Sequence, residues 1–348
     1  MIKDWWKILG VFLVLYSLLA GMLVPLGPGL TGVDPMVFHP GQTAELQITG
    51  YNTLFKDKEN ELKVVLHNQG QAIAAQEIKV HDNNRLMAKF GFPGGFPGDP
   101  GLVQFSLIID QAGHGTAVLP GAVGVTYDSI SREGWQDLSA FNLTRKGFHF
   151  PYRNILVETI RNIYYHVTMW FAMMILLLIS CIYSVRHLLT PNVLWDNKAQ
   201  AYATVGVLFG VLGTITGMFW ANATWGKPWN WDIKQTMVVV ALLIYLAYFV
   251  LRSSIEDKDK RYRVAAAYNI FSFATLVPLL FIIPRMVDSL HPGSGGNPAL
   301  GGEDLDNTMR LVFYPAIIGW IFMGAWIAQL ITRTRKIEEE LREGAMTN

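Results

Sequence analysis

Cysteine is nearly absent: Cys181 is the single thiol in 348 residues. One thiol excludes an intrachain disulfide framework, a thiolate metal centre and the C-x-x-C-H attachment site of a c-type cytochrome. Charge is scarce too. Asp, Glu, Lys and Arg make up 16% of the chain, against about a quarter in an ordinary soluble domain. What charge there is nearly cancels, leaving a net +1, so no basic footprint for nucleic acid exists.

The missing charge has been replaced by apolar runs. Hydrophobic residues form 51% of the chain, and mean hydropathy is +0.27. Six stretches, near 6–26, 160–185, 199–220, 235–251, 264–283 and 311–332, approach the roughly 17–25 residues that cross a bilayer as a helix. The first follows Lys3 and Lys7 like a signal peptide. Its apolar stretch is too long for one and no A-x-A site follows, so a retained anchor is expected.

Lysine and arginine in short loops mark the cytoplasmic side. Lys3 and Lys7, Arg186 and Lys198, the group Arg252 to Arg263, and Arg333, Arg335 and Lys336 all fall on one side when six helices are counted through. Both termini are therefore expected in the cytoplasm, and segment 27–154 outside. That segment alternates polar and apolar residues at 44–48, 62–66 and 104–108, the period of half-buried strands. The Gly- and Pro-rich run 91–98 reads as a loop. The expected fold is an all-α polytopic membrane protein of six transmembrane helices with an inserted β-rich extracytoplasmic domain, a small sandwich or barrel. The tail, 333–348, reads as a charged helix extension or a solvated end.

The loop between the third and fourth helices carries Trp220, Trp225, Trp229 and Trp231, four tryptophans in twelve residues, with Gly226, Lys227, Pro228 and Asp232 among them. An interfacial aromatic belt is the plain explanation, but belts scatter over several helix ends. Packed into one loop, the indoles form a platform for a flat, apolar ligand. Helix parity puts His166, near the outer end of the second helix, and His291, beyond the outer end of the fifth, on the same side. A single histidine at a helix end is usually structural. Two of them flanking an aromatic platform suit the two axial positions of a heme iron. Arg161, Lys227 or Arg285 could then reach the propionates.

The string Trp225-Gly226-x-x-Trp229-x-Trp231-Asp232-x-x-x-Thr236 resembles the tryptophan-rich WWD signature of the cytochrome c assembly, heme-handling proteins. Within that family the chain looks most like the heme exporter protein CcmC, with the CcsA-type synthase subunit second. Trp220-Ala221-Asn222 and Tyr164-Tyr165-His166-Val167 are similar as well. The resemblance spans about 155–332 and implies a five-helix heme-handling domain in a bacterial inner membrane. It implies heme b as cofactor, His166 and His291 as iron ligands on the periplasmic side, and Trp220, Trp225, Gly226, Trp229, Trp231 and Asp232 around it. It also implies delivery to a CcmE-like periplasmic heme chaperone, with ABC-type exporter subunits as further partners, and transfer in place of enzymatic attachment. The chain departs from the CcmC pattern twice: Pro228 stands at one tryptophan position of the signature, and segment 27–154 has no counterpart.

Two other function classes compete with heme transfer. A CcsA-type subunit would attach heme to apocytochrome, but it carries histidines deep in membrane helices. Here His187 lies at a cytoplasmic helix end beside Arg186 and reads as an interface residue. A non-heme membrane protein with a structural tryptophan belt is the third class. His81-Asp82-Asn83-Asn84 is faintly similar to the attachment site of the CcmE chaperone, yet ordinary loop composition explains it better. Asp232 reads equally well as a group acting on heme and as a cap of the following helix.

Overall fold

A computed structural model describes residues 4–143, 147–154, 156–291 and 305–346. Lys3, Ile155 at the start of the expected membrane domain, and Pro292-Gly293 after His291 lie outside the described residues. The chain divides into two compact units: 24–158, and 1–23 together with 159–348.

The second of these is helical. Its helices are α1 (Trp5–Leu23), α2 (Val167–Leu189), α3 (Val193–Trp225), α4 (Ile233–Ser253), α5 (Lys258–Val277) and α6 (Asn307–Met346). Among the described residues, six helical segments are long and apolar enough to cross a membrane, and the chain is a multi-pass membrane protein. Two helices outrun their apolar runs. At 33 residues α3 is longer than the stretch expected near 199–220, because Asn192 caps its start through Leu194 N–H (2.8 Å) and Gly226 ends it in the left-handed region at φ 75°. The tail continues α6 as helix beyond residue 332. Polar sequence does not stop a helix that starts in a bilayer and lacks a breaker.

Glycine sets how α2 meets α3. A Cβ on Gly206 would lie 2.6 Å from Leu177, on Gly210 2.9 Å from Met173 Sδ, on Gly213 2.9 Å from Trp170 and on Gly217 2.6 Å from His166. The spacing 4, 3, 4 on α3 answers 4, 3, 4 on α2, running the other way. Each large side chain of α2 thus seats on a bare stretch of α3 backbone, the close approach that small residues permit between membrane helices. His166 is the last rung of this ladder.

Buried polar groups join the other helices. Asn269 of α5 donates to Ser180 Oγ (2.7 Å) and Ser184 Oγ (2.8 Å) of α2, and Ser180 donates to the Ala199 carbonyl of α3 (2.6 Å). Arg252 at the end of α4 grips Asp196 at the start of α3 with both Nη atoms, both side chains being buried. His187, in the last turn of α2, is buried: its Nδ1 meets the Asn192 carbonyl at 2.9 Å and its ring stands edge-on to Tyr262.

Among the described residues, unit 24–158 holds ten strands: β1 (Gly29–Asp34), β2 (Val37–Phe38), β3 (Thr43–Tyr51), β4 (Leu62–Asn68), β5 (Gln71–Ala74), β6 (Glu77–Asp82), β7 (Arg85–Gly91), β8 (Gly101–Gln111), β9 (Gly115–Tyr127) and β10 (Gln136–Asp137). They form a four-stranded sheet, β1-β3-β7-β6, and a six-stranded one, β10-β5-β4-β8-β9-β2. All pairs are antiparallel except β2 with β9. The three strands read from alternation lie inside β3, β4 and β8. In β3, Ala44, Leu46 and Ile48 are buried while Glu45, Gln47 and Thr49 are exposed, as a pleated strand with one covered face requires. The run 91–98 is more than a surface loop. Phe92 and Phe96 are buried, Phe96 stands edge-on to Trp135 (5.1 Å), and Trp135 donates to the Gly95 carbonyl (2.8 Å). At 81–84, Asp82 Oδ1 accepts from Asn84 N–H (2.8 Å) and Asn83 Oδ1 from Lys56 N–H (3.0 Å), the bonding of a structural turn.

Candidate functional site

The end of α3, the loop 226–232, the start of α4, the residues after α5 and the start of α2 come together at one end of the bundle. Each arrives there for a local reason. Gly226 closes α3 by donating its N–H to the Asn222 carbonyl (3.0 Å) in a conformation natural only to glycine. The loop is then pinned from α4, where Gln235 Oε1 accepts from Asn230 N–H (2.9 Å) and Gln235 Nε2 donates to the Pro228 carbonyl (3.4 Å). Trp231 takes φ 56°, a strained value for a side chain that large, and leaves its indole 77% exposed. Asp232 follows immediately and caps α4, accepting from Lys234 N–H at 2.9 Å.

After α5, Pro278 and Pro284 break the helical pattern into a wide turn at 278–282 and a tight one at 283–285. The chain then runs back toward Asp232. Ser289 Oγ donates to both carboxylate oxygens (3.1 and 2.9 Å), Leu290 N–H donates to Oδ2 (2.8 Å), and His291 Nδ1–H donates to Oδ1 (2.7 Å). Asp232 is therefore the helix cap that the sequence offered as one of its two readings, and it is also the anchor of His291, which the sequence did not suggest. Burial opposes its ionisation, yet the Leu290 N–H, His291 and the other donors outweigh burial and hold its carboxyl below the usual range. His291 is shifted below the ordinary 6.5 chiefly by burial, with Lys234 adding to the effect and Asp232 opposing it. A neutral imidazole with its Nδ1 proton on a carboxylate keeps a lone pair on Nε2.

Two indoles surround His291. Trp225 meets it edge to face (centroids 4.8 Å, 82°), and Trp220 lies tilted against it (5.9 Å, 35°). Trp220 and Trp225 also touch each other, at 5.0 Å. Trp229 and Trp231 form a separate edge-to-face pair at 5.8 Å. The platform is thus two pairs of indoles, only one of which contacts a histidine ring.

His166 precedes α2 directly instead of lying a turn inside it, since a 3-10 stretch, Val157–Tyr164, takes up the expected first turn. Its Nδ1 is 2.8 Å from the Gly213 carbonyl, and its Nε2 accepts from Trp170 Nε1 at 3.3 Å. A carbonyl only accepts, so Nδ1 carries the proton and Nε2 the lone pair here as well. Both imidazoles lie against the last turns of α3, His166 on Gly213 and Gly217, and His291 on Trp220 and Trp225 nearer the helix end.

Of the basic residues considered for propionates, Arg161 donates to the Gly21 carbonyl of α1 (2.9 Å), while Lys227 and Arg285 are exposed. Sequence reasoning missed Gly213, Gly217, Gln235 and Ser289. The glycines had a readable signal in their 3–4 spacing along an apolar helix; Gln235 and Ser289 had none.

Six helices long and apolar enough to cross a membrane, counted among the described residues, define a multi-pass membrane protein, and one end of the bundle gathers two imidazoles and an indole cluster. The heme exporter protein C family model matches residues 147–347, more than half of the chain, and the chain belongs to that family. Among its relatives, heme exporter protein C of Bradyrhizobium diazoefficiens is 30% identical over 155 residues, covering 44% of this chain and 57% of that protein. Heme exporter protein C of Rhodobacter capsulatus is 28% identical over 204 residues, 54% of this chain and 77% of that one. Cytochrome c biogenesis protein CcsA of a Synechococcus species is 42% identical over 78 residues, 22% of this chain and 26% of that one. Most of unit 24–158 lies outside the family match.

Proposed function

We propose that this protein holds heme b at the outer face of a bacterial inner membrane and delivers it to a CcmE-like periplasmic heme chaperone for cytochrome c assembly. The iron sits between Nε2 of His166 and Nε2 of His291, and the Trp220–Trp225 pair flanks the macrocycle beside His291. ABC-type exporter subunits are its membrane partners. Both termini are cytoplasmic; 1–26 is an anchor, 27–154 an extracytoplasmic domain, 155–332 the heme-handling domain and 333–348 a cytoplasmic tail. One observation carries this reading: both imidazoles donate Nδ1–H to a fixed oxygen, Gly213 O in one case and Asp232 in the other. That leaves each with its lone pair on the nitrogen that binds metals, and an oriented partner behind it, as in ligating histidines generally. Heme supplies the iron and a planar face. The chain supplies orientation, an apolar enclosure and an edge for exchange.

The test is the absorption spectrum of purified protein loaded with hemin. A low-spin, six-coordinate spectrum is expected, weakened by His166→Ala and by His291→Ala. Heme content unchanged in the double variant would exclude the ligand assignment and favour a tryptophan belt that is merely structural. The local similarity to CcsA supports a second reading, a subunit that attaches heme to apocytochrome. Transfer to a purified chaperone, against attachment to a cytochrome peptide, distinguishes the two.

A further inference from the structure

The two imidazoles are not equivalent. His291 is held by a carboxylate and meets its neighbouring indoles by face and edge. His166 is held by a neutral carbonyl, and its Nε2 accepts an indole N–H, Trp170 Nε1 at 3.3 Å. The in-plane lone pair of an imidazole nitrogen serves one partner at a time, so Trp170 occupies the orbital that iron would use. The contact is built in. Trp170 is four residues beyond His166, one turn along the same helix face. The rings cross at 89° with centroids 5.8 Å apart, so the indole edge addresses the imidazole. The two glycines of α3 leave no slack behind either ring: added Cβ atoms would come within 2.9 Å of Trp170 at Gly213 and 2.6 Å of His166 at Gly217.

We propose that Trp170 is a positioning residue that latches His166 away from iron, making His166 a conditional ligand. The inference rests on the axial-ligand reading above. Loading forms an Nε2–iron bond at the expense of the Trp170 hydrogen bond, and the freed indole N–H turns to water or to the ligand's carboxylates. Release runs in reverse: Trp170 recaptures Nε2 as the His166–iron bond is given up. A carrier gains from this arrangement because its grip on heme weakens without any loss of fold.

The experiment uses the full-length protein in nanodiscs, with hemin as probe and apomyoglobin as heme scavenger. Trp170→Phe keeps a ring and removes the donor; Trp170→Met removes the donor with a flexible apolar side chain, in case the first variant folds poorly. Without heme, selective 15N-histidine spectra should show one Nε2 resonance, absent in His166→Ala, moving toward a free acceptor in either variant. With heme, both variants should raise the six-coordinate fraction and slow loss to apomyoglobin by roughly two- to tenfold, the span of one hydrogen bond. In a His166→Ala background the same changes should have no effect on loss. Loss that is unchanged or faster in folded Trp170 variants, or an effect that persists without His166, overturns the latch. If neither His166→Ala nor His291→Ala alters heme binding, the axial-ligand reading fails instead, whatever Trp170 does.

Discussion

Replacing Asp232 by asparagine tests the site most sharply, because the two carboxylate oxygens have different tasks. Oδ1 accepts from His291 Nδ1 (2.7 Å) and from Lys234 N–H (2.9 Å), and Oδ2 accepts from Leu290 N–H (2.8 Å). An amide has one oxygen to offer. With its nitrogen at the Oδ2 position it opposes the Leu290 N–H, donor against donor, a loss of about 1–3 kcal/mol for a partly buried group. With its nitrogen at the Oδ1 position it donates to His291 Nδ1, which moves the imidazole proton to Nε2 and removes the lone pair from the ligating atom. Either way the charge that makes His291 a stronger ligand is gone. Loss of such a partner typically weakens metal binding 10- to 100-fold, equal to about 1.4–2.8 kcal/mol. Asparagine caps helices as well as aspartate does when its oxygen stands at the Oδ1 position, so α4 should keep its start and the apoprotein should lose no more than about 1–3 kcal/mol of stability. The assay is hemin titration followed by absorbance, with dissociation into apomyoglobin as the kinetic check. An Asp232→Asn protein that binds hemin with wild-type affinity and an unchanged spectrum would refute the pairing argument.

Gly217→Ala should leave the fold standing, since the atom in its way is the ring of His166 and a side chain can yield. The displaced imidazole should lower the six-coordinate fraction by several-fold, read from the loaded spectrum. Arg252→Ala leaves Asp196 buried without its bidentate partner and should cost about 3–5 kcal/mol, visible as a lower thermal midpoint. The double replacement Asp196→Leu with Arg252→Leu should recover most of it. Phe105→Ala in unit 24–158 removes a ring stacked on Trp135 at 5.3 Å and fully buried, a loss of about 3–5 kcal/mol. Hydrogen exchange should quicken in β4, β8 and β9, while the hemin spectrum of the protein stays as it was.

Much of the fold was legible in the sequence. The bilayer demands long apolar helices, so six of them stood out from composition alone, and β3, β4 and β8 showed their two-residue period. Trp220 to Asp232 drew attention because tryptophan is rare and here dense. Helix ends were less legible. α3 and α6 run past their apolar cores because caps and breakers, not hydropathy, decide where a helix stops. The alternation of Phe with Pro and Gly at 91–98 hid two core residues in what looked like a surface loop.

Local sequence determined which chemistry is present: indoles in one short loop, imidazoles near helix ends, glycines at 3–4 spacing along α3. Tertiary structure alone decided which groups meet. Asp232 and His291 are 59 positions apart, and no periodicity connects them; the chain has to turn back after Pro278 and Pro284 before a carboxylate can choose the imidazole's tautomer. Trp170 lies only one turn from His166, yet whether its N–H points at the ring depends on α3 pressing bare backbone against both. A hydrogen bond is set by angle and distance between side chains, and those belong to the packed helices, not to the order of residues.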